Sequence, residues 1–247
     1  MDKPIILVSN DDGVNSKGIL ALARSLRRVG DVYVVAPERE RSAVSHSLTL
    51  HKPLRVEKLG RKMYAVSGTP TDCINIAINS ILPKRPALVV SGVNKGANLG
   101  DDITYSGTVS AAIEGTLLYV PSFAVSLASK VSLDFSTAVK FSVKLARYIL
   151  KNGLPKDTLL NVNVPSKEKI KGYKITRQGK RVYGDAIVEK IDPRGKKYYW
   201  IGGNELSWEG GKDTDFYFVS RGYISITPLH LDMTNYDSFE ELRKIKI

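Results

Sequence analysis

The chain has 247 residues, 43% hydrophobic and 25% charged, enough for a sizeable core in one large domain or one domain with an appendage. Its single cysteine, Cys73, excludes an internal disulfide and a cysteine-built metal site, and no uninterrupted apolar run approaches the length of a membrane span. A net charge of +12 favours anionic ligands of any kind, whether nucleotides, polyphosphate or nucleic acid, without choosing among them.

Met1-Asp2-Lys3-Pro4 shows no signal-peptide pattern, and a reducing cytoplasm is the expected location. Ile5 to Val8 reads as a short buried strand. After an Asp-Asp-Gly turn, Ile19, Leu22, Ala23, Leu26 and Val29 recur at helical spacing, with Ser16 as N-cap and Gly30 as stop. Val32 to Ala36 is a second strand, and Leu48 to Leu50, Leu54 to Val56 and Met63 to Val66 read as small ones. Thr69-Pro70-Thr71-Asp72 opens a helix to about Leu82, with a capping Thr, Pro at the first position and Asp at the third. Ala87 to Val90 is a strand that empties into a loop from Ser91 to Gly107. A helix from Thr108, a strand from Phe123 to Leu127, a helix from Thr137 to Leu150 and a strand from Leu159 to Val164 complete the alternation of a parallel sheet covered on both faces. From Lys167 to Lys212 there are twelve Lys/Arg against six Asp/Glu, with six aromatics interleaved, a pattern of hairpins serving as an oligomer contact or lid. Tyr223 to Thr227 returns to the sheet, and Ser238 to Ile245 is a short closing helix.

Asn10-Asp11-Asp12-Gly13 follows the first strand, and in an α/β sheet ligands bind beyond the carboxyl ends of the strands. Two adjacent carboxylates repel, and a hard divalent cation removes that conflict; oxygen ligands suit Mg²⁺, Mn²⁺ or Ca²⁺ rather than zinc. An Asp-Gly turn with one solvated Asp is the plainer reading of the same four residues. In the loop Ser91 to Asp102, Asn94 offers an amide oxygen and Lys95 a cation, although Gly and Asn are also ordinary loop residues. Ser106, Gly107 and Thr108 read as a helix N-terminus able to seat a phosphate, or as a plain cap. Glu38 to Ser42 is able to place the Ser42 hydroxyl on the metal but reads more plainly as a solvated charged loop, His51 and His230 read as surface or packing residues, and His46 as a residue that approaches the pocket. There is no phosphate-loop Gly-x-x-x-x-Gly-Lys, Gly-x-Gly-x-x-Gly, His-Glu-x-x-His or Gly-x-Ser-x-Gly, and no Asp-x-Asp after the first strand.

Taken in order, Ser-Asn-Asp-Asp-Gly (9–13), Ala-Pro-Glu-Arg-Glu-Arg-Ser-Ala-Val-Ser-His-Ser (36–47), Gly-Thr-Pro-Thr-Asp-Cys (68–73), Ser-Gly-Val-Asn-Lys-Gly-Ala-Asn-Leu-Gly (91–100) and Tyr-Ser-Gly-Thr-Val-Ser-Ala-Ala-Ile-Glu-Gly (105–115) resemble the SurE (survival protein E) family of nucleotidases. The likeness continues through Thr-Arg-Gln-Gly (176–179), Asp-Pro-Arg-Gly (192–195) and Gly-Tyr-Ile-Ser-Ile-Thr-Pro-Leu (222–229). It implies a Rossmann-like α/β fold as one unit, with a catalytic core over 1–165 and a hairpin extension and tail over 166–247. It also implies hydrolysis of nucleoside 5′- and 3′-monophosphates, with some activity on short polyphosphate. Asp11, Asp12, Ser42 and Asn94 are then the ligands of one divalent metal per subunit, Mg²⁺ or Mn²⁺, with Ca²⁺ an acceptable substitute in a crystal. Asp11 and Asp12 are the expected catalytic pair, and Lys95, Asn98, Ser106, Gly107 and Thr108 the expected phosphate contacts. The family assembles as homodimers or homotetramers through its C-terminal hairpins and tail. A rival reading is a nucleotide- or RNA-binding protein using the basic, aromatic stretch, but it gives the Asp pair no purpose. A stable nucleic-acid or membrane partner is not expected.

Overall fold

The computed structural model of the chain describes residues 3–129, 133–166, 169–183, 187–201 and 206–245. Met1, Asp2 and Lys167, which entered the reading above, lie outside these. Nine strands form the main sheet: β1 (Ile5–Ser9), β2 (Asp31–Pro37), β3 (Val56–Gly60), β4 (Met63–Val66), β5 (Leu88–Lys95), β6 (Ser122–Ala128), β7 (Thr158–Pro165), β8 (Tyr173–Ile175) and β13 (Ile224–His230). Their spatial order is β3-β4-β2-β1-β5-β6-β7-β13-β8. The six from β4 to β7 run parallel, while β3 and β13 lie antiparallel to β4 and β7. Among the described residues β8 pairs with β13 alone.

The central strands read as unbroken apolar runs because both faces are covered. Ile6 and Val8 point into one cluster with Ile19, Leu22 and Leu26 of α1 (Lys17–Leu26) and Ala138 and Leu145 of α4 (Ser136–Asn152). Ile5 and Leu7 point the other way, against Cys73 and Ile74 of α2 (Pro70–Ile76) and Ala111 of α3 (Gly107–Leu117). α2 continues as a wider turn over Ala77–Ile81, reaching the expected end at Leu82. Ser16 occupies the expected N-cap of α1, but its hydroxyl accepts from Asn10 Nδ2 at 2.8 Å instead of capping the helix.

Three local expectations are corrected. Leu48 to Leu50 is not a strand, β3 begins only at Val56, and β5 runs on to Lys95, where the sequence suggested a loop. The last follows from pairing: Asn94 and Lys95 sit opposite Ser126 and Leu127 of β6, past a register shift after Gly92. A 3-10 turn over Gly100–Thr104 then fills the middle of the remaining connection.

Beyond residue 165 the chain gives β8, β13 and α5 (Asp215–Ser220) to the main body. The excursion between β8 and α5 is a nested hairpin arm. β9 (Lys180–Tyr183) pairs with β12 (Leu206–Glu209), and β10 (Ile187–Ile191) pairs with β11 (Lys197–Ile201) farther out. Asp192 closes the turn at its tip, its carboxylate accepting from the amides of Arg194 and Lys196 at 2.8 Å. The chain finishes with a 3-10 turn (Tyr236–Ser238) and α6 (Phe239–Leu242). Among the described residues no helix is long and apolar enough to cross a membrane.

Candidate active site

β1 lies between β2 on one side and β5 on the other, so the strand order reverses there and a crevice opens at the carboxyl ends of β1 and β5. The Asp pair sits at that crevice. Gly13 ends the turn with φ +95°, and a Cβ on it would lie 3.2 Å from the backbone of Arg39, so the position suits only glycine. Asn10, fully buried, ties the turn together by donating to Gly13 O at 3.1 Å.

Asp11 is directed at the first turn of α3. It accepts a hydrogen bond from the hydroxyl of Thr108. Burial raises its pKa above the ordinary carboxylate value, and this bond only partly opposes that rise. Asp12 is pushed up to about 6, first by burial and then by the Asp11 charge beside it. The amide of Lys95 donates to Asp12 Oδ2 at 3.3 Å, and the positive charge of Lys95 favours the ionised form.

Gly107 makes the approach of α3 possible, since a Cβ there would stand 2.8 Å from Asp11 Cβ and 3.0 Å from Asp11 Oδ2. Ser106 caps α3 by accepting from the Val109 amide at 3.1 Å. The Thr108 hydroxyl, expected as a phosphate contact, is committed to Asp11 in this structure.

Ser42 arrives on the loop after β2. The amide of Arg41 donates to Asp11 O at 2.8 Å, which brings that loop beside the pair, and Ser42 Oγ donates to Glu40 Oε1 at 2.5 Å. Asn94 donates its side-chain amide to Gly96 O at 3.0 Å, which leaves its oxygen as the outward acceptor. Asn98 is fixed from three sides. Its amide donates to Asn163 Oδ1, its carbonyl accepts from Asn161 and Asn163, and its side chain donates to Ser126 Oγ, all at 2.7 to 2.8 Å.

The donor set fits a hard divalent cation. Two carboxylates, a hydroxyl and an amide oxygen are all oxygen donors, and a cation would offset both the burial that raises Asp11 and Asp12 and the Asp11 charge that adds to the rise at Asp12. Among the described residues no three His, Cys, Asp or Glu gather as a metal cage, so neutral oxygens from Ser42 and Asn94 have to complete any site built on the pair.

Several supporting residues escaped the sequence reading. Asn161 and Asn163 did carry a signal, as alternate polar residues in an otherwise apolar buried strand. Asp72 was read as a capping residue only, yet it also accepts from the amide and hydroxyl of Thr49 at 2.9 and 2.6 Å. His46 does turn inward, but toward Glu114 and not toward the Asp pair: its Nε2 lies 2.8 Å from Glu114 Oε2.

The family model described as Survival protein SurE matches residues 6–185. A protein named 5'-nucleotidase SurE from Geobacter sulfurreducens is 58% identical over 241 residues, 96% of this chain and 92% of the relative. Its namesake from Geotalea daltonii is 53% identical over 245 residues, covering 98% and 99%. The solved structure of the SurE protein from Aquifex aeolicus matches with a TM-score of 0.87 at 45% identity, over 97% of this chain and 98% of that one. Strand order, the sequence of motifs and near-complete coverage by relatives agree: the chain belongs to the SurE family.

Proposed function

We propose that this chain is a divalent-metal-dependent phosphomonoesterase that converts nucleoside 5′- and 3′-monophosphates to nucleoside and phosphate. The observation that carries this reading is the Asp11–Asp12 pair at the switch point of the sheet, with Asp11 buried against the first turn of a helix and Asp12 half-buried beside it. Its family membership and the printed activity of its relatives support the same reaction.

Asp11, Asp12, Ser42 and Asn94 are the proposed ligands of one ion per subunit, Mg²⁺ or Mn²⁺. Such an ion supplies Lewis-acid polarisation of the phosphoryl group. The protein's own groups do the positioning. The first turn of α3, through the Gly107 amide and the dipole, and the exposed Lys95 balance phosphate charge. Asn98, held by Asn161, Asn163 and Ser126, keeps its remaining amide hydrogen for a phosphate oxygen. The attacking water is activated by Asp11 or Asp12, or by the bound ion.

The chain is proposed to assemble as a homodimer or homotetramer through the arm, where Trp200, Ile201, Ile187 and Tyr199 are all exposed. A cytoplasmic location is proposed on the single cysteine, which is buried and unpaired as suits a reducing compartment.

Phosphate release from AMP, GMP and tripolyphosphate, with EDTA and then with added Mg²⁺ or Mn²⁺, tests the reading. Release that stops with chelator and returns with metal is expected. Faster turnover of tripolyphosphate than of either nucleotide would shift the reading to an exopolyphosphatase. Absence of release with any metal, together with salt-dependent RNA binding, would replace it with a binding protein.

A further inference from the structure

The segment from Glu38 to Arg55, which carries Ser42, has no regular structure. Two of its residues, Ala43 and Ser45, hold φ values of 54° and 53°, in the left-handed region that L-residues other than glycine avoid. A loop in that conformation persists only where its surroundings hold it there. The anchors are visible. The Ser45 amide donates to Tyr105 O at 3.3 Å, Thr69 Oγ1 to Ser47 O at 2.8 Å, and Thr49 to Asp72.

The remaining anchor is different in kind, because it joins the loop to a buried acid. His46 Nε2 meets Glu114 Oε2 at 2.8 Å, while Asn75 Nδ2 donates to Glu114 Oε1 at 2.9 Å. The Glu114 side chain is only 7% exposed and that of His46 33%. Glu114 belongs to α3, the same helix whose first turn holds Asp11, and Asn75 belongs to α2. One rigid helix therefore grips the Asp pair at its start and the Ser42 loop two turns later.

We propose that His46, Glu114 and Asn75 form a clasp that sets Ser42 against Asp11 and Asp12, with His46 a positioning residue for the metal site. This rests on the metal reading proposed above. A role limited to satisfying the buried Glu114 would affect stability alone. Positioning affects the affinity of the ion, because a ligand on a loop free to leave contributes less to binding.

The test is Mn²⁺ binding by calorimetry without substrate, on the full chain and on His46→Ala, His46→Gln and Asp12→Asn, with thermal unfolding in EDTA beside it. Wild type should bind, and Asp12→Asn should not. His46→Ala should bind about 10-fold more weakly, the lower end of what loss of a supporting contact costs a metal site. His46→Gln, whose amide can still donate to Glu114, should recover most of the affinity. Trypsin should cut after Arg41 faster in the Ala variant than in wild type. If His46→Ala disturbs the fold, His46→Phe keeps the volume, lacks the bond, and should show the same weakening. Wild-type Mn²⁺ affinity in a folded variant lacking the imidazole would overturn the clasp. Absence of Mn²⁺ binding by wild type would overturn the metal site beneath it, a distinct result.

Discussion

A buried carboxylate that accepts a hydroxyl from a helix's first turn, as Asp11 does from Thr108, has its direction fixed before any cation arrives. The price of that closeness is the absence of a side chain at Gly107. Gly107→Ala should push Asp11 out of line and lower kcat/KM on the order of 100-fold, as displacements near 1 Å can, with only a small change in Tm. Asp12→Asn keeps the shape and removes the charge; a loss of at least ~100-fold in turnover by a folded protein is expected. Ser42→Ala removes a neutral oxygen from an exposed loop. It should raise the Mn²⁺ concentration needed for half-maximal activity several times while leaving kcat at saturating metal within about threefold, since uniform binding and not transition-state stabilisation is lost. Unchanged metal titration would remove Ser42 from the ligand set.

Helices α2 and α3 carry more than their own turns. Asp72 completes the capping box of α2 and also holds Thr49, so Asp72→Ala should cost about 2 kcal/mol in urea unfolding, a cap plus part of the buried bonds to Thr49. Glu114 gives a pH signature. Burial alone would raise its pKa, but the bonds from His46 and Asn75 and the His46 charge outweigh that and hold it below the ordinary 4.5. A lowered folded value means stability that is complete above about pH 4.5 and fades as the pH falls through the folded pKa. Glu114→Gln should therefore unfold at a lower temperature than wild type at pH 7, with the gap narrowing on acidification. The sequence makes these helices legible through their caps and apolar spacing, and the central strands through their continuous runs. It does not reveal that β5 continues through Gly-Val-Asn-Lys, because the ladder with β6 sets that conformation and not the residues' own preference. Nor does it pair His46 with Glu114, since 68 residues separate them and nothing in the segments that carry them says that the two meet. Of the metal candidates, Asp11 and Asp12 were readable because they follow a strand whose end is plain in the sequence, whereas Asn94 and Ser42 needed the family pattern.

Across the whole molecule, the arm is the feature least like the rest. Its outer hairpin exposes Ile187, Ile191, Trp200 and Ile201, more apolar surface than a two-stranded ribbon can shelter by itself. Its base is fastened near the active site. The Arg181 amide donates to Asp101 Oδ2 at 3.1 Å, Arg181 pairs with Asp102 and packs over Trp208, and Trp208 stacks on Phe216 at 5.0 Å. Trp200→Ser with Ile201→Ser should shift the protein to a smaller species in light scattering; an unchanged mass would place the assembly surface elsewhere. The other long-range feature is the placement of β13 between β7 and β8, which gives β8 its neighbour in the sheet. On a ribosome, β7 and β8 emerge long before Ile224 does. Until then β7 keeps one bare edge and β8 has nothing to join, so the newborn chain passes the whole stretch from Pro165 to Ile224 with a sheet able to recruit strands from strangers. Chaperone dependence during translation, and inclusion-body formation by chains halted before β13, are what this order of assembly entails.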